Sequence, residues 1–156
     1  MTRSRGTSRT LTVLTIGGGL TFWSANFAIS LTPIAAEYRA ALSIAYLPML
    51  GEALAGGLII GLVTGYSLTR LHHAFPDKSP VLMSVLVSLA ALTTVTLLVE
   101  VPSKLLPPTE DGLRYFLIAG LFNAFRILAL GVAMGYLYRT LVTAYRREGL
   151  QNGTYA

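Results

Sequence analysis

Arg126 is the residue with the clearest potential for chemistry, because it interrupts a long apolar run between the segments FNAF and ILALG. If that run crosses a membrane, a charge at its centre costs about 2.5 to 3.5 kcal/mol on insertion scales. Such a residue normally faces protein or water and has a partner. Asn123 lies three residues earlier and shares its helix face. The two residues predict a polar cluster inside the apolar layer.

Three residues on other apolar runs could complete this cluster. Glu52 is the preferred counter-charge, because a long arginine side chain can extend toward a carboxylate at a different depth. Glu100 is the alternative counter-charge, and Asn26 could contribute a polar amide. The cluster is compatible with a structural ion pair that sets helix register, with gating or substrate binding, and with a counter-charge supplied by a partner subunit.

Small residues form a second pattern, which concerns packing. They recur every four positions on one helix stripe at Ala53, Gly57, Gly61 and Gly65, with a shorter repeat at Gly131 and Gly135. Such stripes let two membrane helices approach closely, because lipid provides no hydrophobic drive for association. The stripe therefore predicts either an oligomer interface or close packing within one bundle.

Several kinds of site find no support in the sequence. The chain has no cysteine, and its only two histidines, His72 and His73, are adjacent and cannot face the same way on a helix. Nucleotide-binding glycine motifs and the common hydrolase signatures are also absent. We therefore expect no metal, no cofactor and no enzymatic activity.

Composition indicates the environment in which these residues lie. Of the 156 residues, 53% are hydrophobic and only 12% are charged, against roughly a quarter in soluble domains. Unbroken apolar runs favour helices, which satisfy their own backbone groups in lipid. We predict an all-α polytopic membrane protein, a bundle of about four transmembrane helices at 11–31, 49–68, 81–101 and 113–138. A basic tail at 1–10 and a second tail at 139–156 flank this domain.

Cap and proline signals mark where the elements begin. Thr32-Pro33 and Ser79-Pro80 each combine an N-cap residue with proline at the first helical position. The segment from Pro33 to Tyr46 is compatible with a short interfacial helix between the first and second spans, or with an extension of the second span.

The distribution of basic residues predicts the orientation. The two tails and the 70–78 connection hold eight Lys and Arg residues, against three in the other two connections. The positive-inside rule places both termini in the cytoplasm, most simply at the plasma (inner) membrane. The net charge of +5 indicates anionic lipid headgroups on the cytoplasmic side, rather than nucleic acid, as the partner.

Three functions are compatible with these features. The leading hypothesis is a self-associating bundle, or an accessory subunit of a larger membrane complex, that uses the glycine stripe. The second is an oligomeric transporter or channel for a small polar or anionic solute, with Arg126, Glu52 and Asn123 lining a cavity. The third is a membrane-embedded lipid-modifying enzyme.

Overall fold

The computed structural model describes the backbone of residues 2–102 and 111–151, and the side chains of residues 8–98, 101–102 and 111–144. Every regular element in these ranges is helical. The helices are α1 (Thr2–Ser30), α2 (Pro33–Ala41), α3 (Tyr46–Ala74), α4 (Pro80–Val95), which continues into a π-helical turn (Thr96–Glu100), and α5 (Gly112–Gln151).

Three helices are long and apolar enough to cross a membrane: Tyr46–Ala74, Pro80–Leu98 and Gly112–Ala144. Their windows have mean hydropathies of 1.7, 2.3 and 2.0, respectively. Three helices of this length and hydropathy are compatible with a small integral membrane protein. α1 does not meet the same criterion, because its apolar stretch is diluted by three consecutive glycines and by polar side chains such as Ser24 and Asn26.

The four long helices pack side by side, with each antiparallel to the next in sequence. α1 contacts α3 and α5, and α4 contacts α3 and α5, whereas α3 and α5 touch only marginally. The fully buried side chains come from all four of these helices and include Leu14, Leu68, Ser84, Leu130 and Met134. In this arrangement the start of α1, the α3–α4 connection and the end of α5 lie at one end of the bundle. We call the opposite end, where α2 lies, the α2 end.

The glycine stripe of α3 faces α1 inside the same chain. A Cβ added at Gly61 would lie 2.9 Å from the Thr15 carbonyl oxygen and 3.3 Å from the Gly19 nitrogen. At Gly57 it would lie 3.0 Å from the Gly19 carbonyl oxygen. Ala53 and Gly65 are buried as well. Of the two predictions for this stripe, close packing within one bundle is therefore the one that the structure shows.

The shorter glycine repeat packs α5 against α4. A Cβ at Gly131 would lie 2.9 Å from the Ser88 hydroxyl oxygen, and one at Gly135 would clash with the Val81 backbone. Ser88 and Ser84 are buried beside this contact. Glycines therefore let the backbones of two helix pairs, α1 with α3 and α4 with α5, pack in close contact.

The helix signal at Thr32-Pro33 produces α2. The Thr32 hydroxyl oxygen accepts a hydrogen bond from the Ala35 N–H at 3.3 Å, and proline occupies the first turn, where its missing donor costs nothing. α2 ends at Ala41, and the chain turns through Ser43 at φ 52° before α3 begins. A separate short helix therefore precedes α3, rather than an extension of the second span.

The turn at Ser43 provides a test of this geometry. A positive φ costs a residue with a Cβ about 1 kcal/mol or more, and a β-branched side chain costs more than serine. We expect Ser43→Gly to leave the free energy of unfolding unchanged or slightly raised, and Ser43→Val to lower it by about 1 to 2 kcal/mol. Denaturation of the purified protein in mixed micelles measures both. Equal stability of the two variants would contradict the observed turn.

Several helix boundaries differ from the expected spans, and α3 runs over Tyr46–Ala74 instead of 49–68. α1 begins at Thr2, so the predicted basic tail continues the helix, because extending a formed helix requires no new nucleation. α5 continues to Gln151, well beyond the predicted span. The end of α4 widens into a π turn, in which the Val101 N–H donates to the Thr96 carbonyl, just before Pro102, which has no N–H to offer.

Candidate functional site

Arg126 faces α1 from its position on α5. Its Nη1 donates to Asn26 Oδ1 at 2.9 Å, and its Nε donates to the Phe122 carbonyl at 3.1 Å. The guanidinium carbon lies 5.6 Å from the centre of the Phe22 ring. Asn26 lies one turn before α1 ends at Ser30. Arg126 is therefore level with the last turns of α1, although it lies in the middle of the predicted fourth span.

Asn26 has a buried side-chain amide whose Nδ2 group donates no hydrogen bond to the described residues. Its side chain is only 4% exposed, and its Oδ1 accepts from Arg126. Because a guanidinium only donates, the amide atom that meets it must be the oxygen, and this defines the orientation of the side chain. The Nδ2 group then has no hydrogen-bond partner among the described residues. A buried unsatisfied amide donor is costly, so such groups usually mark a place for water, an ion or a ligand.

The Asn26 amide borders a cavity of about 170 Å³ at the α2 end of the bundle. The end of α1, α2, the start of α3 and the first half of α5 contribute its lining, and the cavity is partly open. Its polar lining consists of Asn26, Ser30, Tyr38, Arg39, Asn123 and Arg126. No acidic residue is among the described side chains that line it. The cavity therefore presents hydrogen-bond donors and two arginines toward its interior.

α2 covers this cavity and is attached to α5. Tyr38 packs edge-on against Tyr115 and Phe122, with ring centres 6.0 Å apart in both pairs. Glu37 forms an exposed ion pair with Arg114. α5 extends further toward the α2 end of the bundle than α1 does. α2 therefore occupies the space beyond the end of α1, beside the first turns of α5. The short helix thus forms the roof of the cavity.

Arg39 contributes the second guanidinium from this roof. Its Nη1 donates to the Ser30 carbonyl oxygen at 3.0 Å, and its guanidinium carbon lies 5.1 Å from the centre of the Tyr46 ring. The Ser30 hydroxyl donates to the Phe27 carbonyl at 2.6 Å and lies 3.3 Å from the Tyr46 hydroxyl. Arg39 therefore joins the end of α1 to the start of α3 while lining the cavity.

The structure brings together only part of the predicted cluster. Arg126, Asn123 and Asn26 line one cavity. The expected pairing with Glu52 is not formed: Glu52 is exposed on α3 and makes no ion pair with Arg126 in the described part of the chain. The reason is that α5 packs against α1 and α4, so Arg126 faces α1 instead of α3. The side chain of Glu100, the alternative partner, lies outside the described residues.

Three polar cavity residues were not among the predicted site residues: Ser30, Tyr38 and Arg39. Arg39 counted only as one of the three basic residues in the other two connections. Ser30 lies at the end of α1, whereas for Tyr38 and Arg39 the signal was the helix that the Thr32-Pro33 cap begins. Whether that helix would fold back over the bundle depends on tertiary contacts, which its sequence does not display.

Comparison of the chain with protein-family models, with curated proteins and with solved structures finds no match. What the site can do is therefore derived from its own geometry. Guanidinium and amide donors around a small, partly open space stabilise groups that carry acceptor oxygens or negative charge. In the described lining, no histidine or carboxylate lies beside the Ser30 hydroxyl.

Proposed function

We propose that this chain is a four-span membrane protein that binds a small anionic or polar solute in the cavity beneath α2. The observation that carries this proposal is the Asn26 amide, which is buried, oriented by Arg126 and left with an unsatisfied donor at the cavity wall. A bound acceptor would supply the missing hydrogen bond. Of the functions that the sequence suggests, solute transport is the one that such a site serves.

Packing supports α1 as the fourth span. Its contacts with α3 run from Leu14 beside Gly65 to Phe22 beside Gly57, so α1 lies alongside a helix that is long and apolar enough to cross a membrane. Large apolar side chains on its outer side, such as Ile16 and Leu20, are half exposed. In a bilayer these side chains would face lipid.

The charges at the two ends support one orientation. Arg9, Arg70, Lys78 and Arg139 belong to the end that holds both termini, and Arg39 and Arg114 belong to the α2 end. By the positive-inside rule the termini lie in the cytoplasm and the cavity lies near the outer surface. α2 combines charged residues with exposed apolar neighbours such as Leu31 and Ile34, which suits a helix at the membrane interface.

The glycine stripe does not favour self-association over solute binding, because α1 already covers it. Association with copies of the chain or with a larger complex remains a prediction, and another surface would have to provide the contact. A lipid-modifying activity would require a reacting group with an activating partner, and the described lining supplies hydroxyl groups but no histidine or carboxylate to activate them. Solute binding requires only the donors that the cavity contains.

The experiment is a thermal-unfolding series on the purified protein in a neutral detergent. A solute that binds only the folded state raises the unfolding midpoint, and a concentration of 100 Kd stabilises by about 2.7 kcal/mol. The series comprises chloride, nitrate, sulfate and phosphate at matched ionic strength, with glycerol as a neutral solute. We expect at least one of these solutes to raise the midpoint in a saturable way.

A cavity-filling variant shows whether the effect arises at this site. Ala119 is 3% exposed and lines the cavity, so Ala119→Leu is expected to occupy the space and abolish the stabilisation. Ala28→Leu is the matched control, because Ala28 is exposed on α1 outside the cavity lining. The proposal fails if no solute stabilises the wild type, or if Ala119→Leu responds as the wild type does.

A further inference from the structure

We infer that the solute is a phosphate-type oxyanion, carried either by a lipid headgroup or by a free phosphate; this inference rests on the function proposed above. The cavity lining supplies donors from two helices. Asn26 offers its unsatisfied Nδ2 from α1, and Arg39 offers its guanidinium from α2, where it reaches the Ser30 carbonyl one turn after Asn26. A ligand that uses both donors must present more than one acceptor oxygen.

Ligand shape distinguishes the anion classes. A phosphate group has four oxygens, so it can accept hydrogen bonds from Asn26 and Arg39 together. A carboxylate has only two oxygens, which a single guanidinium can already engage, and chloride is a single ion without separate acceptor atoms. A guanidinium also matches a phosphate with two parallel hydrogen bonds.

Arg39 has the donors that such a contact needs. A guanidinium carries five N–H groups, and the structure gives Arg39 one hydrogen bond, to the Ser30 carbonyl. Its remaining N–H groups have no acceptor among the described residues. Arg126 donates to Asn26 Oδ1, so that the amide can present only its Nδ2 to a ligand.

The position of the cavity explains why both sources of phosphate are compatible. The cavity lies at the last turn of α1, close to where lipid headgroups would reach. Apolar residues such as Ile29, Ile44 and Met49 complete its lining. A lipid phosphate could enter with its glycerol and chains along that apolar side. Inorganic phosphate would enter from water. Both would place the same oxyanion between Asn26 and Arg39.

Asn26→Asp is the decisive substitution. The carboxylate keeps an acceptor for Arg126, so the contact between α1 and α5 is retained, but the Nδ2 donor is replaced by a negatively charged oxygen. We expect the variant to fold and to bind phosphate at least tenfold more weakly, since one charge-assisted hydrogen bond accounts for about a tenfold change in affinity. Arg39→Gln, which removes the roof charge, is expected to weaken binding by about the same factor.

The assay measures binding of two probes to the purified protein in neutral detergent, with dihexanoyl glycerol as the lipid without phosphate. The first probe is inorganic phosphate, and the second is short-chain dihexanoyl phosphatidylglycerol. Arg70→Gln is the matched control for the arginine change, because Arg70 is exposed at the opposite end of the bundle. Elution volume in size-exclusion chromatography confirms that each variant is folded.

The outcomes separate this inference from the proposed function. The inference is supported if either probe binds, if Asn26→Asp and Arg39→Gln weaken that binding, and if Arg70→Gln leaves it unchanged. The probe that binds identifies the source of the phosphate group. If neither probe binds better than chloride or dihexanoyl glycerol, or if Asn26→Asp binds as the wild type does, the inference is wrong. Saturable stabilisation by another solute that Ala119→Leu abolishes would then still support the proposed function.

Discussion

Gly61→Leu is expected to prevent α1 and α3 from packing and to lower the free energy of unfolding by about 3 kcal/mol, the upper part of the range for overpacked cores. The first side-chain carbon alone would lie 2.9 Å from the Thr15 carbonyl oxygen and 3.3 Å from the Gly19 nitrogen. Both contacts are with backbone, which cannot rotate away. Denaturation in mixed micelles, followed by circular dichroism, measures the loss.

Gly56→Leu is the control on the same helix. A Cβ at Gly56 meets nothing within 4 Å, so the larger side chain extends into open space. We expect Gly56→Leu to change stability by less than about 0.5 kcal/mol, as is usual for surface substitutions. A folded Gly61→Leu protein whose oligomer size alone had changed would contradict the observed packing and favour a contact between copies through this stripe.

Asn26→Leu is expected to lower the free energy of unfolding by about 2 kcal/mol. The substitution removes the oxygen that accepts from Arg126 Nη1 at 2.9 Å, and hydrogen bonds to charged groups contribute about 1.5 to 3 kcal/mol. Without this bond, the half-buried guanidinium of Arg126 would lose the acceptor that Asn26 provides. The same micelle denaturation series measures the effect.

Ser24→Leu provides the comparison for this change. Ser24 lies two residues earlier on α1 and is exposed, so in the proposed four-span arrangement the leucine would face lipid. We expect unchanged or slightly higher stability, because an apolar side chain is favourable in that environment. Equal stability of Asn26→Leu and Ser24→Leu would mean that the contact between Arg126 and Asn26 contributes nothing to the fold.

Features of local sequence were predicted well. The apolar runs indicated helices, and the Thr32-Pro33 signal indicated a helix start that the structure shows with its cap hydrogen bond. Arg126 and Asn123 were recognised because polar groups in apolar runs are expensive. Each of these inferences depends on residues within one or two turns of each other, where the chain itself determines which groups are neighbours.

Partners across helices were predicted less well. The sequence indicates the position of Arg126 only along its own apolar run, but the cavity depends on where α1 ends relative to α5, and that register comes from packing. Glu52 was chosen by depth alone, yet it lies one residue before the buried Ala53 and on a different side of α3. A difference of one residue turns a side chain by about 100° around a helix.

The sequence by itself determined the membrane character of this protein, its helices and the two polar residues of the fourth apolar run, because these follow from hydropathy and local hydrogen bonding. Only the tertiary structure decided that the glycine stripe packs against α1, that Asn26 meets Arg126, and that Arg39 lines the same cavity. The physical reason is that each of these contacts joins residues far apart in the chain. Their meeting depends on helix register and rotation, which the close fit of small residues sets.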